Sequence, residues 1–419
     1  MSPKFIFLAA AACLMMACGG SHSNSEFPAA TPLDIRGKLL SRAKQPLSGV
    51  AIVIPGKPPV NTDFTGAFTI AGVTPPYEAW IVDGANKTLV VYKGLTRSDP
   101  VLVYPESIGS IRHADVGGRI TSGGSYPQLP DHRTRIVFSS SEARLTGSTD
   151  GAGAYSFTPS WRGPSNTLGA VHALQIRESS PGIPAEYKGY SKTDLTLSDG
   201  GSFGPMSISM SPVRSSTVSG SVAVPAGYTL LREVYLSVGS GPDLKFVFDT
   251  SGASSFSYVS PNIPNTSLLL WSQALKANAG VVGLRAGLAA NASGVNLTIP
   301  AGAEPVLPVD AATGVNGNTT FSWSAFPNGV HLIRFTADGA GKPSYYVFTT
   351  STTAGIPDGS SVGLGLPAAA PYHWSVEGYS PYASIDAVAT TAFIDAIDLL
   401  VSADWFECFA DWRSFATAP

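Results

Sequence analysis

The sequence predicts an all-β protein, a tandem array of β-sandwich modules with one short helical insertion near the C-terminus. Three observations predict it. First, a turn-plus-strand unit recurs. Asp63-Phe64-Thr65-Gly66-Ala67-Phe68-Thr69-Ile70 returns as Asp150-Gly151-Ala152-Gly153-Ala154-Tyr155-Ser156-Phe157, and more loosely as Asp249-Thr250-Ser251-Gly252-Ala253 running into Phe256-Ser257-Tyr258. In each copy the Asp can bond its own backbone, the Gly can take φ > 0, and alternating apolar residues then enter a half-buried strand. Second, Tyr92-Lys93-Gly94-Leu95-Thr96-Arg97-Ser98-Asp99 is echoed by Tyr187-Lys188-Gly189-Tyr190-Ser191-Lys192-Thr193-Asp194. Two landmarks in the same order, roughly 90 to 100 residues apart, point to duplicated modules of β-sandwich size rather than to solenoid repeats. Third, 44 Gly and 33 Pro residues supply many turns without reaching the level of a disordered chain.

A chain of 419 residues has room for three or four such domains. Hydrophobic residues make up 44% of it, so each module can bury a core. The charged fraction of 13% is low, as in secreted β-rich chains. A net charge of −3 without long runs argues against nucleic acid as a partner and against a basic membrane patch. Of the three cysteines, Cys13 and Cys18 lie in the N-terminal stretch and only Cys408 lies beyond it, so no intrachain disulfide is expected in the mature protein.

The N-terminus reads as an address. Lys4 precedes the apolar run Phe5 to Met16, which is too short to span a bilayer. The run ends in Met15-Met16-Ala17-Cys18-Gly19-Gly20, small residues beside a cut site. It resembles a bacterial lipoprotein signal (residues 1–17), in which the cysteine, here Cys18, is lipidated and becomes the mature N-terminus. It departs from that pattern at Met15, where Leu is usual. Gly19, rather than Asp, after the cysteine implies the outer membrane. Acyl chains at about 0.8 kcal/mol per buried methylene would hold the chain on a membrane without a spanning helix. Residues 18–32, rich in Gly, Ser and Asn, would then form a flexible tether.

Module one covers residues 33–106. Gly37, Pro46-Leu47-Ser48-Gly49-Val50-Ala51-Ile52, Thr62 to Val73 and Tyr77 together resemble a carboxypeptidase regulatory-like module. The resemblance implies a transthyretin-like β-sandwich, an accessory domain and not a zinc-binding catalytic one. Module two, residues 113–213, rests mostly on the Asp150 hairpin and the strand Arg135 to Phe138. Module three, residues 214–300, opens with Val218 to Val222, continues through Val234 to Val238 and Leu268 to Trp271, and closes on the alternating Val295 to Ile299.

Module four, residues 301–419, has Trp323 on an early strand and Tyr372 six residues after Leu366, just before an alternating strand. This resembles an Ig-like sandwich of the fibronectin type III kind with its tyrosine corner. The resemblance implies that Trp323 is core and that the Tyr372 hydroxyl bonds backbone at the preceding corner. From Ile385 to Val401 the alternation breaks. Asp395, Asp398 and Ser402 oppose Phe393, Ile397 and Leu400 at helical spacing, so a helical insertion is expected before a last strand, Arg413 to Thr417.

No catalytic or metal constellation stands out. His22, His113, His132, His172, His331 and His373 are scattered, without the clustering that zinc requires. Gly-x-Ser-x-Gly occurs around Ser202 and Ser361, but both lie in loops between strands, not on a strand-to-helix turn. The hairpin aspartates have no second carboxylate two residues away, so an Asx turn is expected rather than a calcium site. The aromatics Trp405, Phe406, Phe409 and Trp412 form the candidate binding surface for sugar or protein, the alternative being that they pack the insertion onto module four.

The sequence therefore points to a non-enzymatic outer-membrane lipoprotein that binds an envelope protein or a glycan and uses no cofactor. The alternatives are a hydrolase built on His373 or Ser361, and a purely structural spacer.

Overall fold

The structure, a computed structural model, describes residues 31–105, 110–124, 126–238, 244–277, 279–397 and 404–419. Alternating burial generates the first strand, β1 (Leu33–Ser41), where Ile35, Gly37 and Leu39 point inward. Then follow β2 (Ala51–Val53), β3 (Val60–Asn61), β4 (Ala67–Val73), β5 (Tyr77–Asp83), β6 (Thr88–Leu95) and β7 (Val101–Tyr104). They form a three-stranded layer, β4-β1-β7, facing a four-stranded layer, β3-β2-β5-β6, and β1 and β7 run parallel.

The second sandwich adds a small pair, β8 (Ile111–His113) with β13 (Ser160–Arg162). Its main strands are β9 (Asp115–Ser122), β10 (His132–Ser140), β11 (Arg144–Ser148), β12 (Ala154–Phe157), β14 (Asn166–Ser180), β15 (Ile183–Ser198) and β16 (Ser202–Ser209). The third has β17 (Arg214–Ala223), β18 (Thr229–Ser237), β19 (Leu244–Asp249), β20 (Ser255–Asn262), β21 (Ser267–Lys276), β22 (Ala279–Leu288) and β23 (Val295–Thr298). Their layers are β12-β9-β16 with β11-β10-β14-β15, and β20-β17-β23 with β19-β18-β21-β22. In all three sandwiches the first strand lies between the fourth and the last, and the first-to-last pairing is parallel. Tyr92 and Tyr187 sit on the same strand of this shared plan, β6 and β15.

The repeated aspartates make the repeated turn. Asp63 Oδ1 accepts from Thr65 N at 2.8 Å and Ala67 N at 2.9 Å. Asp150 Oδ1 accepts from Ala152 N at 2.9 Å and Ala154 N at 2.8 Å. These are Asx turns, with the carboxylate satisfied by its own backbone. The third copy keeps only one such bond, from Ser251 N to Asp249 Oδ1 at 2.8 Å.

The fourth sandwich has β24 (Pro305–Leu307), β25 (Ala312–Val315), β26 (Phe321–Trp323), β27 (Val330–Ala337), β28 (Ser344–Thr349), β29 (Thr353–Ala354) and β30 (Pro371–Ser380). The short helices α1 (Ile385–Val388) and α2 (Thr391–Ile397) come next, then β31 (Trp405–Phe409) and β32 (Arg413–Thr417). The last strand lies where the sequence places it. The helical insertion is present as two short helices; Asp398, Leu400 and Ser402 lie outside the described residues. Trp323 is core. The tyrosine corner differs from expectation: Tyr372 Oη donates to Pro343 O at 2.8 Å, and it is Tyr345 Oη that donates to the corner carbonyl of Leu364, at 3.0 Å. Both rings line one core, and each hydroxyl takes the nearest free carbonyl.

The sandwiches are not joined as separate beads. β28 pairs in parallel with β6 of the first, and β31 pairs antiparallel with β22 of the third. One sheet of fourteen strands thus runs through the first, third and fourth sandwiches. Its central strands are buried on both faces, which demands continuous apolar runs rather than alternation. On β6, Leu89 and Val91 enter one core while Val90 and Tyr92 enter the other; on β28, Tyr345 and Val347 divide from Tyr346 and Phe348 in the same way. The second sandwich keeps its own core and touches the third by packing rather than by strand pairing along the big sheet. Tyr187 Oη donates to Val259 O at 2.8 Å, and Phe248 N donates to Gly182 O at 2.9 Å.

The helices seal the first sandwich. Ser384 caps α1 by accepting from Ala387 N, and Asp386 in its first turn accepts from Thr96 N at 2.8 Å and Arg97 N at 3.2 Å. Asp395 on α2 pairs with Lys44. Phe393 is buried edge-on against Tyr379, Tyr382 and Phe348. Among the described residues no helix is long and apolar enough to cross a membrane.

Candidate binding site

The two C-terminal strands β31 and β32 run along the same neighbour, β30. Phe409 is opposite Glu377 and Arg413 is opposite Trp374, so Ala410, Asp411 and Trp412 face only Ser375 and Val376. Three residues against two make a bulge, and a bulge re-aims the side chains it carries. Ala410 stays anchored, its N donating to Val376 O at 3.1 Å. Trp412 is turned outward and is 46% exposed.

Beside it lies a cleft of about 310 Å³ at the seam of the third and fourth sandwiches. The bulge forms one wall, the turn after β21 a second, and the segment around β24 the third. Three carboxylates, Glu304, Asp310 and Asp411, and two cations, Lys276 and Arg413, line it. Lys276 Nζ reaches Glu304 Oε1 at 3.0 Å, and that bond holds the ammonium above its usual range. Asp310 Oδ1 accepts from Ser414 N at 2.7 Å and from its hydroxyl at 2.8 Å; those bonds hold its carboxyl below the usual range. The Arg413 fork is spent on backbone, donating to Val306 O at 2.8 Å, Pro308 O at 3.1 Å and Pro305 O at 2.5 Å. Its other side lies 6.0 Å over the Trp374 ring. The arrangement can hold a flat apolar face and accept hydrogen bonds; nothing in it shapes a nucleophile.

The structure separates the four aromatic residues that the sequence groups. Trp405 is buried, 2% exposed, and packs on Tyr379 with ring centroids 6.3 Å apart. Phe406 packs against the opposite core, as strand alternation requires. Phe409, at the end of β31, is 36% exposed opposite Gly280. Of the four, only Trp412 lines the cleft. The charged residues around it escaped the sequence reading because they come from segments more than a hundred positions apart, and no local spacing joins them.

Elsewhere, His373 Nε2 lies 3.0 Å from Asp338 Oδ1, while Ser361 sits on a single 3-10 turn, Ser360–Val362; no hydrogen bond joins Ser361 to His373. Ser202 opens strand β16. His172 bonds Tyr190 at 2.9 Å, and burial pushes its imidazole down to about 4. Cys408 is buried and free, its thiol pushed up to about 12, first by burial. Such a thiol is unreactive. Among the described residues no group of three or more His, Cys, Asp or Glu is placed to hold a metal ion. Cys18 lies outside the described residues. No family model matches the chain, and no curated protein matches it.

Proposed function

We propose that this is a lipid-anchored, non-enzymatic binding protein of the outer membrane, attached through Cys18 and presenting its ligand site, for a protein or a glycan, at the cleft beside Trp412. The observation that carries the reading is an indole held half in solvent by a strand bulge, next to hydrogen-bonding carboxylates. A purely structural spacer has no use for such a residue, whereas binding surfaces commonly place Trp there. The shared strand plan of the first three sandwiches supports the resemblance of the first to carboxypeptidase regulatory-like modules. The layers β24-β26-β29 and β28-β27-β30 support the fibronectin type III-like reading of the fourth.

The anchor is tested by metabolic palmitate labelling and membrane fractionation of the natural chain and Cys18→Ala. Loss of label and release from the membrane are expected; unchanged membrane association overturns the anchor. The site is tested by crosslinking from a photoreactive residue at position 412 in whole envelopes. A discrete adduct is expected, and none forming at 412 or around it removes the binding reading.

A further inference from the structure

We infer that the cleft beside Trp412 takes a neutral, hydroxyl-rich sugar ring rather than an anion, a cation or a peptide. The inference rests on the binding-site reading above and narrows it to one ligand chemistry. The indole is the only large apolar group in the cleft. Its apolar neighbours there are Ala277, Ala279, Ala410 and Pro305, too small to cover it. One flat ring flanked by acceptors matches a sugar, which has an apolar C–H face and a rim of hydroxyl donors.

Charge excludes the alternatives. Three carboxylates against two cations leave the lining net negative, and both cations are already engaged, Lys276 by Glu304 and Arg413 by three carbonyls. A phosphate or uronate would meet repulsion without a free donor pair. A quaternary ammonium calls for a cage of rings, and here there is one. Val306, Leu307 and Val309 are exposed on the same segment but do not line the cleft, so an apolar peptide side chain would find no greasy pocket inside it. A volume near 310 Å³ suits one or two rings of a longer chain.

The test uses the full mature protein and tryptophan-fluorescence quenching, with saturation-transfer NMR as a second readout. The probes are maltotetraose, cellotetraose, chitotetraose and, as the charged control, tri-galacturonate. At least one neutral probe is expected to bind, and Trp412→Ala to weaken it about tenfold or more. Trp412→Phe should recover part of the loss, and Asp310→Asn should weaken binding through a lost acceptor. Trp412 is exposed, so both of its variants should fold, as circular dichroism would confirm. Binding of the charged probe in preference, binding that Trp412→Ala leaves unchanged, or binding of no neutral probe each overturns the sugar assignment. An adduct at position 412 to a protein, together with no sugar binding, would keep the binding reading and reject this one.

Discussion

In the first sandwich the Asp63 turn leans on the backbone of β1; in the third the Asp249 turn hangs on a buried arginine. Leu39 N donates to Gly66 O at 2.8 Å, and Gly66 lies so close that a Cβ there would sit 2.4 Å from Leu39 O. Asp63 stays in solvent, its carboxyl held low by the Thr65 hydroxyl and then by the Ala67 and Thr65 amides. In the third sandwich the backbone contact slips to Ser254, whose carbonyl accepts from Val222 N at 2.8 Å, and Gly252 has open space around it. There Arg232 Nη2 reaches Asp249 Oδ2 at 2.6 Å, Tyr258 donates to the same oxygen, and Arg232 Nη1 donates to Ser254 O and Ser255 O, each at 3.2 Å. Its guanidinium lies over Phe256 and Tyr258. Similar turn sequences are thus held by close backbone fit in one place and by a buried charge network in the other.

The largest expected effect follows from the buried pair. Arg232→Ala leaves Asp249 buried without its cation and frees the carbonyls of Ser254 and Ser255, which should cost about 3–5 kcal/mol in denaturant unfolding. A double-mutant cycle with Asp249→Asn should show strong coupling. A cost below about 1 kcal/mol would mean that the arginine is a bystander and the third turn also holds itself.

Gly66→Ala comes next. It combines a φ of +73° with a Cβ driven into the carbonyl of Leu39. A loss of about 3 kcal/mol is expected. Asp63→Ala should matter far less, because the turn it caps is already fixed by β1. The comparison would break if the aspartate change were the more damaging of the two.

The way the two sandwiches join the shared sheet also differs. The first contributes apolar β6 to β28, whereas the third meets β31, which carries Glu407 opposite Val282 and Tyr379. Burial, then Glu377 nearby, pushes the Glu407 carboxyl up to about 7, with Arg42 and Arg334 opposing. A raised folded-state value means that the acid binds its proton more tightly when folded. Its favourable contribution is complete below about 4.5 and is lost as pH rises through 7. Between pH 5 and pH 8 this group should remove about 2 kcal/mol of stability, and Glu407→Gln should flatten that slope. Asp249 runs the other way. Burial would raise its carboxyl, and bonds from Tyr258, Ser251 and Arg232 more than offset that. Its contribution is therefore present above pH 3.8 and fails only in stronger acid.

Local chemistry made much of the fold legible. The Asp-x-x-Gly spacing announces a turn because the aspartate bonds within five residues of itself. The runs Leu89-Val90-Val91-Tyr92 and Tyr345-Tyr346-Val347-Phe348 announce strands covered on both faces. Neither run says that it pairs with the other, since that contact spans some 250 positions and depends on edges rather than on spacing. The site shows the same limit. Trp405 and Trp412 are equivalent in the sequence, and a bulge set by the spacing of β31 and β32 along β30 buries one and exposes the other. Cys18 and the lipidation pattern around it depend on an enzyme reading a linear motif, so the fold adds nothing there.

The smallest effect sharpens the contrast most. Gly252 has a φ of +73°, the same as Gly66, but a Cβ added there meets no atom within 4 Å. Gly252→Ala therefore isolates the conformational cost from the steric one. It should cost about 1 kcal/mol, the ordinary penalty of an L-residue in the left-handed region, partly offset by a stiffer unfolded chain. The difference between the Gly66 and Gly252 variants, measured side by side, gives the energy of the close approach to Leu39 alone. If the two cost the same, the carbonyl of Leu39 can move aside, and the first turn would be no more tightly held by its backbone than the third.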